Sequence, residues 1–394
     1  MIRLEVTVFD SGRVRQSRAP VAQGIERCPP EACAQVRILP GAQIYRFIAY
    51  GGQMTNRSPR IAIVVVAGLA LVAGLGGCGN GEPAASPSAT ATTPFTVPTS
   101  PAEPTSILSG RPSANGPVLA LKMDNTNRSL PHIGLVDADV VYIQQVEGGL
   151  SRLALIYSTK IPTKVAPIRS ARETDTELLP MYGPIAFGFS GSVDAVARQV
   201  KRAGLIDVSA ETYGGGYARL SSRSAPYNEY AKPAKLIKQA GGSAKPKYVG
   251  FTFGALPLGG RKASGVTITY PGARITFKYK TSTGRWNYYL GGVQDTSDQG
   301  AVSASTLVIQ SVKLSNTGRD DVAGNPVPKS RTVGTGKAIA IRDGRYYKLT
   351  WSRPTVSSPT RWLYQGKDFP MKAGQVWVAL LDAQRTPKFT GTAS

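Results

Sequence analysis

Beyond residue 78 the chain contains no cysteine, and over all 394 residues it contains one histidine. The first absence excludes disulfides, thiolate metal sites and cysteine nucleophiles from anything folded after that point. The second excludes every site that needs two imidazoles, and no carboxylate cluster has ligand spacing, so we expect neither metal nor cofactor. His132 alone could serve a Ser-His-Asp arrangement. It follows Leu130-Pro131 in a stretch that reads as loop, and no Gly-x-Ser-x-Gly elbow accompanies it. We read it as a structural loop residue. Acidic residues are also scarce, 24 against 47 Lys and Arg. Residues 1–77 hold 4 and 9 of these, which leaves 20 acidic and 38 basic residues and a net charge of +18. Such an excess points to anionic partners, lipid headgroups or phosphate-bearing wall polymers, or else to solubility alone.

Long apolar runs are absent except at residues 61–75. That run follows Met54 and the short basic leader Thr55-Asn56-Arg57-Ser58-Pro59-Arg60, and it closes on Leu75-Gly76-Gly77-Cys78. A charged leader, a short apolar segment and small residues at the cut are what a secretory peptidase reads. The closing tetrad resembles the lipobox of bacterial lipoproteins, which implies a signal peptide over 54–77 and a diacylglycerol on Cys78. The alternative is a permanent transmembrane helix, but the run is shorter than the ~20 apolar residues normally needed to span. We therefore expect an exported protein on the outer face of the cytoplasmic membrane, held there by lipid at Cys78. Export in turn makes nucleic acid the lesser reading of the basic charge.

Residues 1–53 precede that complete signal and show no apolar periodicity that we assign. Pro20-Val21-Ala22-Gln23-Gly24-Ile25-Glu26-Arg27 can be encoded by codons that read as a tRNA acceptor stem and D-arm, and Val36-Arg37-Ile38-Leu39-Pro40-Gly41-Ala42 by codons that look like a T-arm and 3′ stem. We read the stretch as a translated tRNA gene ahead of the true start, a mis-called extension. Residues 78–114 are rich in Gly, Pro, Ser, Thr and Ala and nearly uncharged, as in Pro87-Ser88-Ala89-Thr90-Ala91-Thr92-Thr93-Pro94. Such a segment cannot offset its chain entropy by burial, so it is expected to be a disordered tether.

Order is expected from Val118-Leu119-Ala120-Leu121 onward. Asp139-Val140-Val141-Tyr142-Ile143-Gln144-Gln145-Val146 and Leu153-Ala154-Leu155-Ile156-Tyr157 read as strands, with Glu147-Gly148-Gly149 turning between them. Short helices are predicted over 173–181, 193–202 and 232–240, the second from apolar residues at Val193, Val196, Ala197 and Val200. After a boundary placed at 243–264, where Gly, Lys and Ala dominate, Gly-rich turns punctuate strand after strand. The expected class is α+β: an α/β N-terminal domain over 115–245, then a mostly β C-terminal domain over 262–385.

Four motifs then occur in order. They are Lys122-Met123-Asp124-Asn125, Val146-Glu147-Gly148-Gly149-Leu150-Ser151-Arg152, Pro167-Ile168-Arg169-Ser170-Ala171-Arg172 and Arg223-Ser224-Ala225-Pro226-Tyr227-Asn228-Glu229-Tyr230. In the carboxyl half, Gly344-Arg345-Tyr346-Tyr347-Lys348-Leu349-Thr350-Trp351 and Pro359-Thr360-Arg361-Trp362 are followed by Ala373-Gly374-Gln375-Val376-Trp377-Val378. Over roughly residues 116–382 the chain resembles the YerB-like family of lipoproteins from Gram-positive bacteria, a family defined by a domain of unknown function. The resemblance implies a two-part architecture and an envelope location, without a reaction. It also implies a His before Ser190-Gly191 and one after Ala225-Pro226; this chain has Phe189 and Tyr227 there, which weakens any catalysis through imidazole.

The candidate constellation is Asp124, Glu147, Arg152, Arg169, Arg172, Asp175 and Arg223, with Asn228 and Tyr230. Arg169-Ser170-Ala171-Arg172 places two guanidiniums near a strand-to-helix junction, where they could grip phosphate or carboxylate together with backbone amides of the helix start. Equally, these arginines could pair with Asp124, Glu147 and Asp175 in a buried polar network. A catalytic reading would use Glu147 and Asp124 as acid and base on a glycan. The aromatics Trp286, Tyr288, Tyr289, Trp351, Trp362 and Trp377 would be either a sugar-stacking face or, more in keeping with strands, core. We expect a non-catalytic binder of anionic wall or membrane-linked polymer through Arg152, Arg169, Arg172, Arg223, Asn228 and Tyr230. The alternatives are a hydrolase or transferase on an envelope glycan or phosphodiester, and a scaffold for another envelope protein.

Overall fold

The computed structural model describes residues 104–391 apart from 298, 322 and 323, together with the backbone of three short strands nearer the N-terminus. Those strands, Glu5–Asp10, Arg13–Ser17 and Ala34–Arg37, form an antiparallel sheet with Glu5–Asp10 in the middle. No element was expected there. The signal lay in the β-branched run Val6-Thr7-Val8. The back-translated stretch 20–27, the signal peptide 54–77, Cys78 and the tether up to residue 103 lie outside the described residues.

The remainder is mainly β, with few helices. Its backbone is a mixed sheet of twelve strands. From one edge the order is Lys367–Asp368, Arg361–Tyr364, Arg345–Arg353, Gly334–Arg342, Thr306–Val312, Val376–Asp382, Val140–Gln145, Ser151–Tyr157, Leu119–Asn125, Ala186–Gly188 and Ile206–Asp207. Arg261–Lys262 pairs beside Arg345–Arg353. Strand pairing crosses the boundary expected at 243–264: Val376–Asp382 lies parallel to Val140–Gln145, with Val376 opposite Val140 and Ala379 opposite Ile143. The two halves thus share one sheet. Its central strands are buried on both faces, which is why they read as near-continuous apolar runs.

Alternate residues of those strands enter two cores. Leu119, Leu121, Val141, Ile143, Leu307, Ile309 and Trp377 face a second sheet of six strands, built on Gly265–Tyr270, Ala273–Lys280 and Arg285–Leu290. Ala120, Tyr142, Ala154, Ile156, Val308 and Val378 face the other way, toward α1 (Glu173–Leu178) and α2 (Asp194–Arg202). A third helix, α3 (Pro233–Ala240), sends Leu236 into the first core and ends on Gly241 in the left-handed region. Trp286, Tyr288, Trp351, Trp362 and Trp377 are buried in these two cores, so they form no sugar-stacking face. Tyr289 is half-buried beneath the Lys278 ammonium, 4.5 Å from its ring centre.

Two expected linkers are packed instead. The tether was extended to residue 114, yet Leu108 and Ser109 are fully buried and Ser109 Oγ donates to Asp139 Oδ1 at 2.7 Å. The Ser106 hydroxyl receives the amides of Leu108 and Ser109 in a tight turn, so Ile107-Leu108 can dock despite polar neighbours. Within 243–264, Val249 and Phe251 are buried, and Gly250 at φ +109° passes so close to Thr360 that a Cβ would sit 1.7 Å from its carbonyl oxygen.

Candidate anion-binding site

Strand register builds the site. Asp124 and Gln144 both stand opposite Arg152 on adjacent strands, and Lys122 lies two residues before Asp124 on the same face. That face is the one α1 covers. Lys122 Nζ donates to Asp175 Oδ1 of α1 at 2.7 Å and to Gln144 Oε1. Gln144 Nε2 donates to the same Asp175 oxygen at 2.9 Å. The other Asp175 oxygen receives the Arg172 amide at 2.7 Å. Helix-start amides were expected to help grip a ligand, but this one is already taken by the helix's own carboxylate.

Around this buried knot sits a ring of arginines. Arg172 grips Glu147 through two parallel bonds, one from Nε to Oε1 and one from Nη2 to Oε2 at 2.9 Å. Arg169 Nε donates to Asp124 Oδ2 at 2.8 Å, and its guanidinium lies 5.6 Å from the centre of the Tyr227 ring. Asp124 Oδ1 also accepts the amide and hydroxyl of Thr126, at 2.9 and 2.6 Å. Arg152 is paired least. Its Nη1 reaches the Ser170 carbonyl at 3.3 Å, and its nearest carboxylate oxygen, Glu147 Oε2, is 3.9 Å from Nη2.

Charge balance follows from these contacts. Lys122, Arg152, Arg169 and Arg172 face Asp124, Glu147 and Asp175, so the cluster carries one positive charge more than its carboxylates neutralise. Burial first, and the neighbouring Arg172 second, push the Arg152 guanidinium down to about 10 against the pull of Glu147. Burial alone would raise Glu147, but its bonds to Arg172 and the nearby Arg152 charge hold it below its ordinary value. Lys122 is pushed down to about 8, because burial outweighs its attraction to Asp175.

The structure therefore brings together Asp124, Glu147, Arg152, Arg169, Arg172 and Asp175. Arg223 is engaged elsewhere: Nη1 donates to the Ser129 carbonyl at 3.1 Å and Nη2 to the Pro131 carbonyl at 2.6 Å, strapping the loop that carries His132. Asn228 accepts from Arg219 at 2.9 Å, and the Tyr230 ring lies near the ammonium groups of Lys164 and Lys232, at 5.1 and 5.9 Å. His132 is fully buried, with Nδ1 2.6 Å from Asp295 Oδ2 and Nε2 2.8 Å from the Asp124 carbonyl. Phe189, at the position where the resemblance implies an imidazole, is buried against Phe187 at 4.9 Å between ring centres. Among the described residues, no group of three or more His, Cys, Asp or Glu side chains is placed to hold a metal.

Sequence reasoning missed Lys122 and Gln144, although a lysine inside an apolar strand is a signal in itself, since a buried charge needs a partner. It also missed Ser190, whose hydroxyl donates to Glu229 Oε2 next to the Arg169 carbonyl that its own amide contacts at 3.0 Å.

Comparison with known proteins follows the same two-part division. Residues 105–247 match a family described as "Protein of unknown function (DUF3048) N-terminal domain", and residues 266–378 match the corresponding C-terminal domain. Among solved structures, the crystal structure of the YerB protein from Bacillus subtilis superposes with a TM-score of 0.63 at 18% identity. The alignment covers 73% of this chain and 99% of that one, a likeness of fold. No curated protein sequence matches. Among the described residues no helix is long and apolar enough to cross a membrane.

Proposed function

The chain belongs to the DUF3048 family, which it matches through both its N-terminal and its C-terminal domain, and from that premise we propose that it is a lipid-anchored, exported envelope protein that binds an anionic wall or membrane-linked polymer without turning it over. The observation that carries the reading is Arg152, a half-buried guanidinium whose nearest carboxylate is 3.9 Å away and already held by Arg172. An incoming phosphate or carboxylate would supply the negative charge that the cluster lacks, through charge-assisted bonds to a planar fork. The net charge of +18 after residue 77 would draw such a polymer toward the protein. Anchoring rests on the lipobox-like Leu75-Gly76-Gly77-Cys78. We take 115–245 as an α/β layer, α1 and α2 covering the sheet where the arginines emerge, and 262–385 as its β partner.

The state of the carboxylates favours binding over catalysis. Glu147, held below its ordinary value and clamped by Arg172, carries no proton to donate near neutral pH. Asp124 accepts three hydrogen bonds from Thr126 and Arg169.

Co-sedimentation of the detergent-solubilised full chain with purified cell wall, across a salt series, tests the proposal. Wild type is expected to bind, to release as salt rises, and to lose about tenfold in affinity in Arg152→Ala. Equal binding by wild type and Arg152→Ala would leave only diffuse charge attraction. No binding to wall or to anionic vesicles would sink the reading and point to a scaffold for another protein.

A further inference from the structure

A second basic site lies away from the arginine cluster, beneath the six-stranded sheet. Lys280, Arg285, Asn287, Gln299, Ser303 and Gln375 line a cavity of about 340 Å³, a size at the lower end of small-molecule sites. Two cations line it and, among the described residues, no carboxylate does. Arg285 is held by neutral acceptors: Nε donates to Ser303 Oγ at 2.7 Å, Nη1 to Ser305 Oγ at 2.8 Å and Nη2 to the Ser303 carbonyl at 2.6 Å. Those three bonds fix the plane of the fork and leave one N–H on each Nη, and among the described residues no acid pairs with it. Gly374 lies so close that a Cβ there would be 3.2 Å from Nη1, so the backbone walls one side.

The rest of the lining sorts into occupied and unoccupied groups. Gln375 is fully engaged with the Leu135 and Ala138 carbonyls and with Trp377 Nε1. Gln299 bridges Asp137 and Lys160. The Lys280 ammonium and the Asn287 amide have no hydrogen-bond partner among the described residues. Burial and the repulsion of Arg111 together lower the Arg285 pKa, as expected for a desolvated charge without a counterion. A concave site with a rigid guanidinium, a second cation and an unengaged amide matches a ligand that carries one oxyanion and several hydroxyls.

We infer that this cavity binds a sugar or polyol bearing a phosphate or a carboxylate, with Arg285 and Lys280 meeting the oxyanion and Asn287 a hydroxyl. The site goes beyond the polymer reading above and does not depend on Arg152.

Calorimetric titration of the full chain in detergent tests it, with glucose 6-phosphate, glucuronate, glucose and inorganic phosphate as probes. At least one charged sugar is expected to bind, glucose is not, and inorganic phosphate should be about tenfold weaker than the better sugar. Binding of the phosphate ester alone assigns the oxyanion as phosphate, and binding of glucuronate alone assigns it as carboxylate. Lys280→Ala, at an exposed side chain, should weaken that sugar about tenfold and Asn287→Ala about fivefold, while Arg152→Ala leaves it unchanged. The inference is overturned if neither charged sugar binds, if glucose binds as well, if inorganic phosphate matches the sugars, or if Lys280→Ala and Asn287→Ala bind as wild type does. Because Arg152→Ala is the control here and the test variant for wall binding, the two proposals fail separately.

Discussion

Arg172 holds Glu147 with both arms of its guanidinium, and the second arm reaches the same carboxylate oxygen that Arg152 approaches to 3.9 Å. One carboxylate therefore restrains two arginines, on a turn that follows Val140–Gln145 and at the residue that opens α1. The pair fixes the helix start against the sheet, and it holds the surplus charge of Arg152 in place for whatever binds there.

Glu147→Gln should lower stability by about 1–3 kcal/mol, since it leaves two half-buried guanidiniums facing a neutral amide. The effect has a defined pH dependence. The folded-state pKa of Glu147 is depressed, so its contribution is present above the unfolded carboxylate value of about 4.5 and is lost as pH falls through the lower folded value. Denaturant melts of wild type and variant at a series of pH values should thus converge toward acid. A gap as wide at about pH 3 as at about pH 7 would show that Glu147 acts through packing alone.

Lys122 has the opposite leaning. Its folded-state pKa is pushed down to about 8 from an ordinary 10.5. Between those values the unfolded chain holds a proton that the folded protein has released. Lys122 therefore opposes folding most below about pH 8, and that penalty is relieved as pH rises toward the ordinary lysine value. In Lys122→Met the term is absent. The difference in unfolding free energy, wild type minus variant, should grow by on the order of 1–3 kcal/mol from about pH 7.5 to pH 10. A difference that stays flat would mean that Asp175 and Gln144 keep Lys122 charged throughout.

Much of this arrangement was legible in the sequence, and the parts that were not share a cause. Strands such as Ser151–Tyr157 and Val376–Asp382 announce themselves by the unbroken apolar runs at 153–157 and 376–381, and α2 by its spacing of Val196 and Val200. The pairing of Arg172 with Glu147 and of Arg169 with Asp124 was one of two expectations for basic and acidic residues gathered at one junction, the other being a grip on a ligand. Three-dimensional register was not legible. Nothing in the chain says that Val376 will lie beside Val140, more than two hundred residues away, so the two family domains read as separate bodies and are one sheet. Arg223 looked like a ligand residue because arginine is ambiguous by composition, and only its contacts with the Ser129 and Pro131 carbonyls show it to be a strap.

Gly250 tests whether the segment joining the halves is a packed part of the fold. Its φ of +109° suits glycine, and any Cβ would meet the Thr360 carbonyl at 1.7 Å. Gly250→Ala should cost about 3 kcal/mol or more, because neither backbone can move without breaking the amide of Thr360 from the Val249 carbonyl, a bond of 3.1 Å. Thermal melts would report it. A variant as stable as wild type would restore the free-linker reading of residues 243–264.

Arg353 carries the coupling between the halves furthest. The side chain is fully buried with no carboxylate partner among the described residues, and Nη2 donates to the Glu177 and Leu178 carbonyls at the end of α1, at 2.9 and 3.1 Å. Nη1 donates to Thr332 Oγ1 at 2.9 Å. A cation near a helix C-terminus is favoured by the backbone dipole, and here it braces the carbonyls where α1 passes into the 3-10 turn Leu179–Tyr182. Arg353→Met should destabilise by about 3–5 kcal/mol, and Arg353→Lys should recover little, because one ammonium cannot span carbonyls and hydroxyl as a planar fork does. The form of the transition matters more than its midpoint. Since Val376–Asp382 and Val140–Gln145 are neighbours in one sheet, loss of the clamp should shift a single cooperative transition, seen alike by tryptophans of the C-terminal half and by amide exchange in α1. Two separated transitions, with the N-terminal half melting first, would mean that the shared strands do not couple the two domains.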